Sequence, residues 1–364
     1  MTTGALDKSK KILVRGTNWI GDAVMTTPAL AELRSRCPQA EIVMLANPLV
    51  APLFQHHPAV DRVLVYAKKG RHSGIRGFFR MAQELRHERF DAALLLQNAI
   101  EAALLTFAAR IPRRAGYATD GRRLFLTDPV VVSAADKKLH HTAYYLTLLD
   151  RLGLRSKAAM QNPDIHLTSK LILHLTEEER AWARTTLGSE NMIALNPGAA
   201  YGSAKRWFPE RFAAVADALA KRFGVKIVLT GGPAEREIGD DIATLMQHDC
   251  INMVGKTDVR QMMALLGACR LLITNDSGPM HVAAALNVPI VAVFGPTDHT
   301  TTSPASAQVK IVRKEVECAP CLLRQCPTDH RCMQSINAED VITAAADLLN
   351  NAQLSEKADE NSDS

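Results

Sequence analysis

The sequence predicts an α/β protein of two doubly wound, Rossmann-like domains, and three observations predict it. Short apolar runs alternate with helical patterns along the chain, as parallel strands covered on both faces do. The series starts over near residue 191, with a second opening strand and a second glycine-containing turn. Finally, 364 residues, 47% of them hydrophobic, are more than one core commonly organises, since single cores rarely grow beyond roughly 250 to 300 residues.

In the first half the strand candidates are 12–15, 41–46, 61–66 and 91–96, with helical patterns over 22–36, 78–87 and 99–110 between them. A longer helix over 137–152 precedes a stretch containing Asn162-Pro163, and a linker is expected at 160–176. The second half offers strands at 191–195, 225–230, 250–254, 271–274 and 289–294, again with helices between. The domains are therefore expected over 1–170 and 171–336, with a helix at 337–352. The polar tail over 353–364 reads as disordered. In doubly wound sheets ligands bind outside the carboxyl ends of the strands, so two such sheets facing a central cleft suit a transferase with two substrates.

The chain opens MTTGALDKSKK with no apolar segment behind it, and no stretch approaches the ~18 apolar residues of a spanning helix. A cytoplasmic location is expected. Lys and Arg number 43 against 38 Asp and Glu. The basic residues gather in the first half, as Lys68, Lys69, Arg71, Arg76 and Arg80 and as Arg110, Arg113, Arg114, Arg122 and Arg123. Such clusters are either solvated surface or a patch for an anionic partner, phosphorylated lipid or nucleic acid.

Four strand-end turns carry the chemistry. In "RGTNWIGDAV", Gly16 and Gly21 have the spacing of a phosphate-cradling loop, but Asp22 follows where that loop needs Lys and then Ser or Thr. A carboxylate there either complements the helix dipole or accepts a proton from an attacking sugar hydroxyl. In "NPGAAYGSAKRWFPERF", small residues leave backbone N–H groups accessible beside Lys205 and Arg206, a combination suited to a diphosphate leaving group. Trp207 would pin that loop. In "LTGGPAERE", Glu235 either bonds ribose hydroxyls or serves as a helix-start acid.

The fourth turn, "LLITNDSGPMHVAAALNVPIVAVFGPT", runs from a strand into Asp276, Ser277 and Gly278 at a helix start, with His281 one turn on. Free N–H groups there would point at an anion. By contrast, Gly255-Lys256-Thr257 only imitates the end of a nucleotide-hydrolase loop, since Cys250 occupies the position of its first glycine. Cys37, Cys250 and Cys269 lie in helix or strand contexts. Cys318, Cys321, Cys326 and Cys332, with His330 nearby, either bind a metal or remain reduced and pack a loop; the second reading is preferred, and no metal is expected.

Gly21-Asp22 after the first strand, PGAAYGSAKRW and NDSGPMHVAAALNVPIVAVFGPT together resemble the ADP-heptose:lipopolysaccharide heptosyltransferases of glycosyltransferase family 9. The resemblance spans about residues 11 to 350, and the second motif is closer to branch II of the family than to branch I. It implies a GT-B fold with the acceptor on the first domain, the nucleotide sugar on the second and the 337–352 helix packing back toward the first. It also implies an inverting transfer of heptose from ADP-heptose to the first heptose of the lipopolysaccharide inner core, at the cytoplasmic face of the inner membrane of a Gram-negative cell, with no cofactor required. The acceptor would be heptosyl-Kdo2-lipid A, peripheral membrane contact is possible, and nucleic acid is not a partner.

By motif, Asp22 matches the family's general base and Lys205 a contact to the donor phosphates. Asp276, Ser277, Gly278 and His281 match the donor loop, Glu235 matches a ribose contact, and Gly21 and Arg206 complete the expected substrate-binding set. The four-cysteine segment is a departure from the family pattern. The alternatives are branch I or III of the family, another sugar donor, a nucleotide-sugar epimerase, or a non-catalytic nucleotide- or lipid-binding protein.

Overall fold

The computed structural model describes residues 6–155, 170–188 and 191–362. They form two units, Met1–His174 and Leu175–Ser364. The expected linker lies outside the described residues up to 169; its remainder, 170–176, contains the boundary between the units.

The first unit runs β1 (Lys11–Arg15), α1 (Ile20–Met25), α2 (Thr27–Arg36), β2 (Glu41–Ala46), β3 (Arg62–Val65), α3 (Gly74–His87), β4 (Ala92–Leu95), α4 (Ile100–Ala108), β5 (Arg113–Tyr117), β6 (Asp128–Val130) and α5 (His141–Arg151). Its strands form one parallel sheet in the order β3-β2-β1-β4-β5-β6. The central strands are buried on both faces, which is why they read as continuous apolar runs rather than alternating ones. Leu13 pairs with Val43 on one side and Ala93 on the other, and all three lie in the core with Leu85, Leu95 and Leu105.

The expected helix over 22–36 is two helices. Pro28 brings no N–H to continue the first, and the hydroxyls of Thr26 and Thr27 donate to the carbonyls of Ala23 and Val24 at 2.6 and 2.7 Å. The expected helix over 137–152 starts only at His141, after a short turn at 136–138. Strands β5 and β6 are additions to the sequence reading, and they rewrite the role of the second basic cluster. Arg113 pairs with Asp128 at 2.5 Å, Arg114 donates to the carbonyls of Ile111 and Phe125, and the fully buried Arg122 donates to Tyr117 O and Asn98 Oδ1. These three arginines hold the edge of the sheet rather than facing an anionic partner.

The second unit runs α6 (Glu177–Leu187), β7 (Met192–Asn196), α7 (Pro209–Phe223), β8 (Lys226–Leu229), α8 (Arg236–Leu245), β9 (Cys250–Asn252), α9 (Val259–Gly267), β10 (Leu271–Asn275), α10 (Gly278–Ala285), β11 (Ile290–Val293), α11 (His299–Thr302), β12 (Val309–Val312), α12 (Arg331–Gln334) and α13 (Ala338–Ser362). The sheet order β12-β11-β10-β7-β8-β9 reproduces the connectivity of the first unit. In each sheet the strand order reverses beside its first strand, between β1 and β4 and between β7 and β10, and that crevice is where doubly wound folds bind ligands.

Val341, Ala345 and Leu349 of α13 are buried in the core of the second unit with Phe212 and Trp207. The last helix runs to Ser362, where a disordered tail is expected; Leu354, Glu356, Lys357 and Ala358 are helix formers within an otherwise polar stretch.

Candidate active site

At the first switch point β1 ends on Arg15, whose side chain is buried and donates to the carbonyls of Gly16 and Leu45, each at 3.0 Å. Burial lowers its pKa to about 10, which leaves it charged at neutral pH. The guanidinium lies over the Tyr66 ring at 5.8 Å, and the Tyr66 hydroxyl donates to Glu101 at 2.9 Å. A Cβ at Gly16 would stand 2.9 Å from Met44 Sδ, so a larger residue there would push the Met44 side chain aside. This fixed floor sends the chain into α1, where Gly21 and Asp22 follow the cap residue Trp19.

Asp22 is half-buried, and its Oδ1 lies 3.1 Å from Nδ1 of His141, the first residue of α5. The carboxylate thus has an imidazole partner and keeps exposure to substrate, an arrangement able to take a proton from a hydroxyl. Sequence reasoning singled out Asp22 and did not single out His141. The visible signal was the His140-His141 doublet at the start of an apolar helical pattern.

At the second switch point the predicted residues converge. Lys205 Nζ stands 2.6 Å from Asp276 Oδ2, with the two side chains 12% and 5% exposed, and Thr297 Oγ1 donates to the same oxygen at 2.5 Å. Asp276 therefore holds Lys205 in place. Asn275 knits the turns together: it accepts from the Trp207 N–H at 3.0 Å and donates to Pro197 O at 2.7 Å. Trp207 is buried, donates to Ile336 O at 3.0 Å and packs edge-on against Phe212, so it pins the loop as predicted.

Ser277 caps α10 through backbone geometry, while its hydroxyl lies 3.0 Å from Asn196 Nδ2 and 3.1 Å from Thr274 Oγ1. Gly278 is the first residue of that helix, and His281 is buried in its second turn. Arg206 and Tyr201 line a pocket with Ser203 and Arg324, and the Tyr201 ring is flanked by Lys205 and Arg324 at 5.4 and 5.1 Å. Glu235 lies against the same turn: its Oε2 accepts from the Gly232 N–H at 2.7 Å, and a Cβ on Gly198 would fall 1.9 Å from its Oε1.

The sequence model of glycosyltransferase family 9 (heptosyltransferase) matches residues 78–331. The lipopolysaccharide heptosyltransferase 2 of Salmonella typhimurium is 33% identical over 83% of this chain and 88% of its own length. The chain belongs to glycosyltransferase family 9. The solved structure of the E. coli ADP-heptose LPS heptosyltransferase II, 30% identical, covers 94% of this chain and 99% of its own with a TM-score of 0.79. A family 9 glycosyltransferase of Veillonella parvula, 29% identical, covers 94% and 98% with a TM-score of 0.83.

This family 9 glycosyltransferase has the GT-B fold class that its motifs implied. The four-cysteine segment has a structural task. Residues 313–330 carry no regular element, yet they brace the Lys205 loop: Tyr201 donates to Leu322 O at 2.8 Å, Ala204 N–H donates to Arg324 O at 3.0 Å, and His330 Nε2 lies 2.7 Å from Ala204 O. Cys318, Cys321, Cys326 and Cys332 are free thiols, and among the described residues no group of three or more His, Cys, Asp or Glu is arranged to hold a metal. Backbone and hydroxyl donors of Thr328 hold the Cys326 thiol below its ordinary pKa, while burial raises Cys332. The imitation loop at 255–257 is a turn after β9, with Lys256 donating to Asn252 O at 2.8 Å.

Proposed function

We propose that this glycosyltransferase moves heptose from ADP-heptose to the first heptose of the lipopolysaccharide inner core, with inversion at the anomeric carbon. The observation that supports it best is an acid with an imidazole partner at one switch point and a cation fixed by an ion pair at the other, in a chain 33% identical to heptosyltransferase 2 over most of both lengths.

In this reading Asp22 takes the proton of the acceptor hydroxyl as its oxygen bonds to the anomeric carbon, and the bond to the ADP oxygen breaks on the opposite face. Lys205 and the N–H groups of Ser277 and Gly278 take up the charge of the departing diphosphate, so no cofactor is required. Glu235 and Arg206 contact the rest of the donor, with His281 supporting the loop from behind. The acceptor, heptosyl-Kdo2-lipid A, is lipid-linked, so the enzyme works as a peripheral protein at the cytoplasmic face of the inner membrane. No helix among the described residues is long and apolar enough to cross a membrane.

The test is consumption of ADP-heptose by the purified protein with acceptors carrying no heptose or one heptose. Transfer to the one-heptose acceptor alone is the expected result. Transfer to the heptose-free acceptor would move the enzyme to branch I, and conversion of the donor without an acceptor would make it an epimerase.

A further inference from the structure

Nine of the thirteen large apolar side chains that are exposed among the described residues lie in the first unit. Their distribution follows the topology. In a parallel sheet every crossover leaves from the same edge, and each of the five crossovers after β1 to β5 displays at least one: Trp19, Leu49, Ile75 with Phe79, Ile100, and Leu124 at 87% exposure. This is the edge that carries Asp22.

The densest part is the N-terminal half of α3. That helix buries Gly77, Met81, Ala82 and Leu85 against the sheet, and Gly77 is required because a Cβ there would meet the His72 backbone at 2.0 Å. A flanking stripe exposes Ile75 at 75% and Phe79 at 60%, four residues apart, and Arg76 and Arg80 form the neighbouring stripe, opposite the buried face. Arg76 makes no ion pair among the described residues, and Arg80 is aimed by the Arg71 carbonyl at 3.0 Å. Lys69 before the helix and Arg123 beside Leu124 are exposed as well. Apolar side chains with cations alongside are the composition of a surface that lies in a lipid headgroup layer.

We propose that the strand-end edge of the first unit, centred on Ile75, Arg76, Phe79 and Arg80, docks on an anionic bilayer surface. Ile75 and Phe79 enter the headgroup and acyl boundary while the arginines meet lipid phosphates. The inference rests on the lipid-linked acceptor of the preceding section and adds the surface that meets the lipid. It commits to the bilayer itself rather than to the phosphates and carboxylates of the acceptor glycan.

The experiment is sedimentation of the full chain with phosphatidylglycerol vesicles and with phosphatidylcholine vesicles, both free of saccharide. The parent is expected to bind the anionic vesicles and to lose that binding with added salt. Ile75→Ser with Phe79→Ser is expected to weaken partition roughly tenfold or more, from lost apolar burial. Arg76→Gln is expected to weaken it about fivefold, the effect of one cation near an anionic surface. Unchanged circular dichroism and melting temperature establish that both variants fold.

Equal binding by parent and double variant would overturn the proposal, as would binding only when vesicles carry the glycan. Self-association of the parent through this stripe, without vesicle binding, would overturn it in favour of a second copy. Transfer to a deacylated, water-soluble acceptor separates the two readings. If it proceeds equally in parent and double variant while vesicle binding differs, both stand. If no transfer occurs to any acceptor but vesicle binding still requires the stripe, the docking surface stands and the transferase reading falls.

Discussion

Nδ1 of His141 lies 3.1 Å from Oδ1 of Asp22, across 119 residues of sequence. The contact leaves one carboxylate oxygen for substrate and fixes the orientation of the other. Asp22→Asn keeps the shape but cannot accept the proton, so kcat should fall by about 10²- to 10⁴-fold with the donor KM little changed. His141→Gln should keep the base and lose part of its orientation, lowering kcat by about tenfold. Steady-state kinetics with both substrates decide this. An Asp22→Asn enzyme with full turnover would remove the base assignment.

Lys205 and Asp276 form the most buried ion pair of the second unit's turn, and the two single substitutions should behave differently. Lys205→Met removes the cation proposed to neutralise the leaving diphosphate, and kcat should drop about 10²- to 10³-fold. Asp276→Asn strands a buried cation, and breaking such a pair destabilises by about 3 to 5 kcal/mol. The double variant should therefore melt above the Asp276→Asn variant while remaining inactive. Thermal unfolding of the three variants tests the coupling, which additive losses would rule out.

The parts legible in the sequence share one property: their signal is local. Strand β1 and strand β10 are apolar runs ending in turn residues, so both were read within a residue or two, and with them the turns that hold Asp22 and Asp276. Strands β5 and β6 were not, because RRAGY opens with two arginines and DPV is three residues long with a proline. Arg113 acquires its meaning only from Asp128 on the neighbouring strand, and His141 only from Asp22. Likewise, nothing along the chain reveals that Lys205 and Thr297 contact the carboxylate of Asp276.

Gly198→Ala tests the donor turn from the opposite direction, by addition. A Cβ at this position would sit 1.9 Å from Glu235 Oε1, so the carboxylate must swing away and release the Gly232 N–H. The donor KM should rise about tenfold, with a smaller change in kcat. If the loss acts through Glu235, Gly198→Ala should have little further effect in a Glu235→Ala background. Full additivity would mean that the methyl group obstructs the donor itself.

The last prediction concerns pH and the floor of the first unit. His57 is buried against Phe54, its Nδ1 accepts the Ala59 N–H at 3.1 Å, and burial pulls its pKa from 6.5 down to about 4. The unfolded chain takes up this proton near pH 6.5, whereas the folded chain resists it until about pH 4. Stability is therefore at its full value above pH 6.5 and declines as the pH falls through that window, by ~3 kcal/mol at most from this group. His57→Gln removes the titration, so the difference in stability between parent and variant should shift in favour of the variant between pH 7 and pH 4.5. Melting temperatures at several pH values give that difference directly, and parallel curves would show that His57 takes up its proton at the same pH in both states.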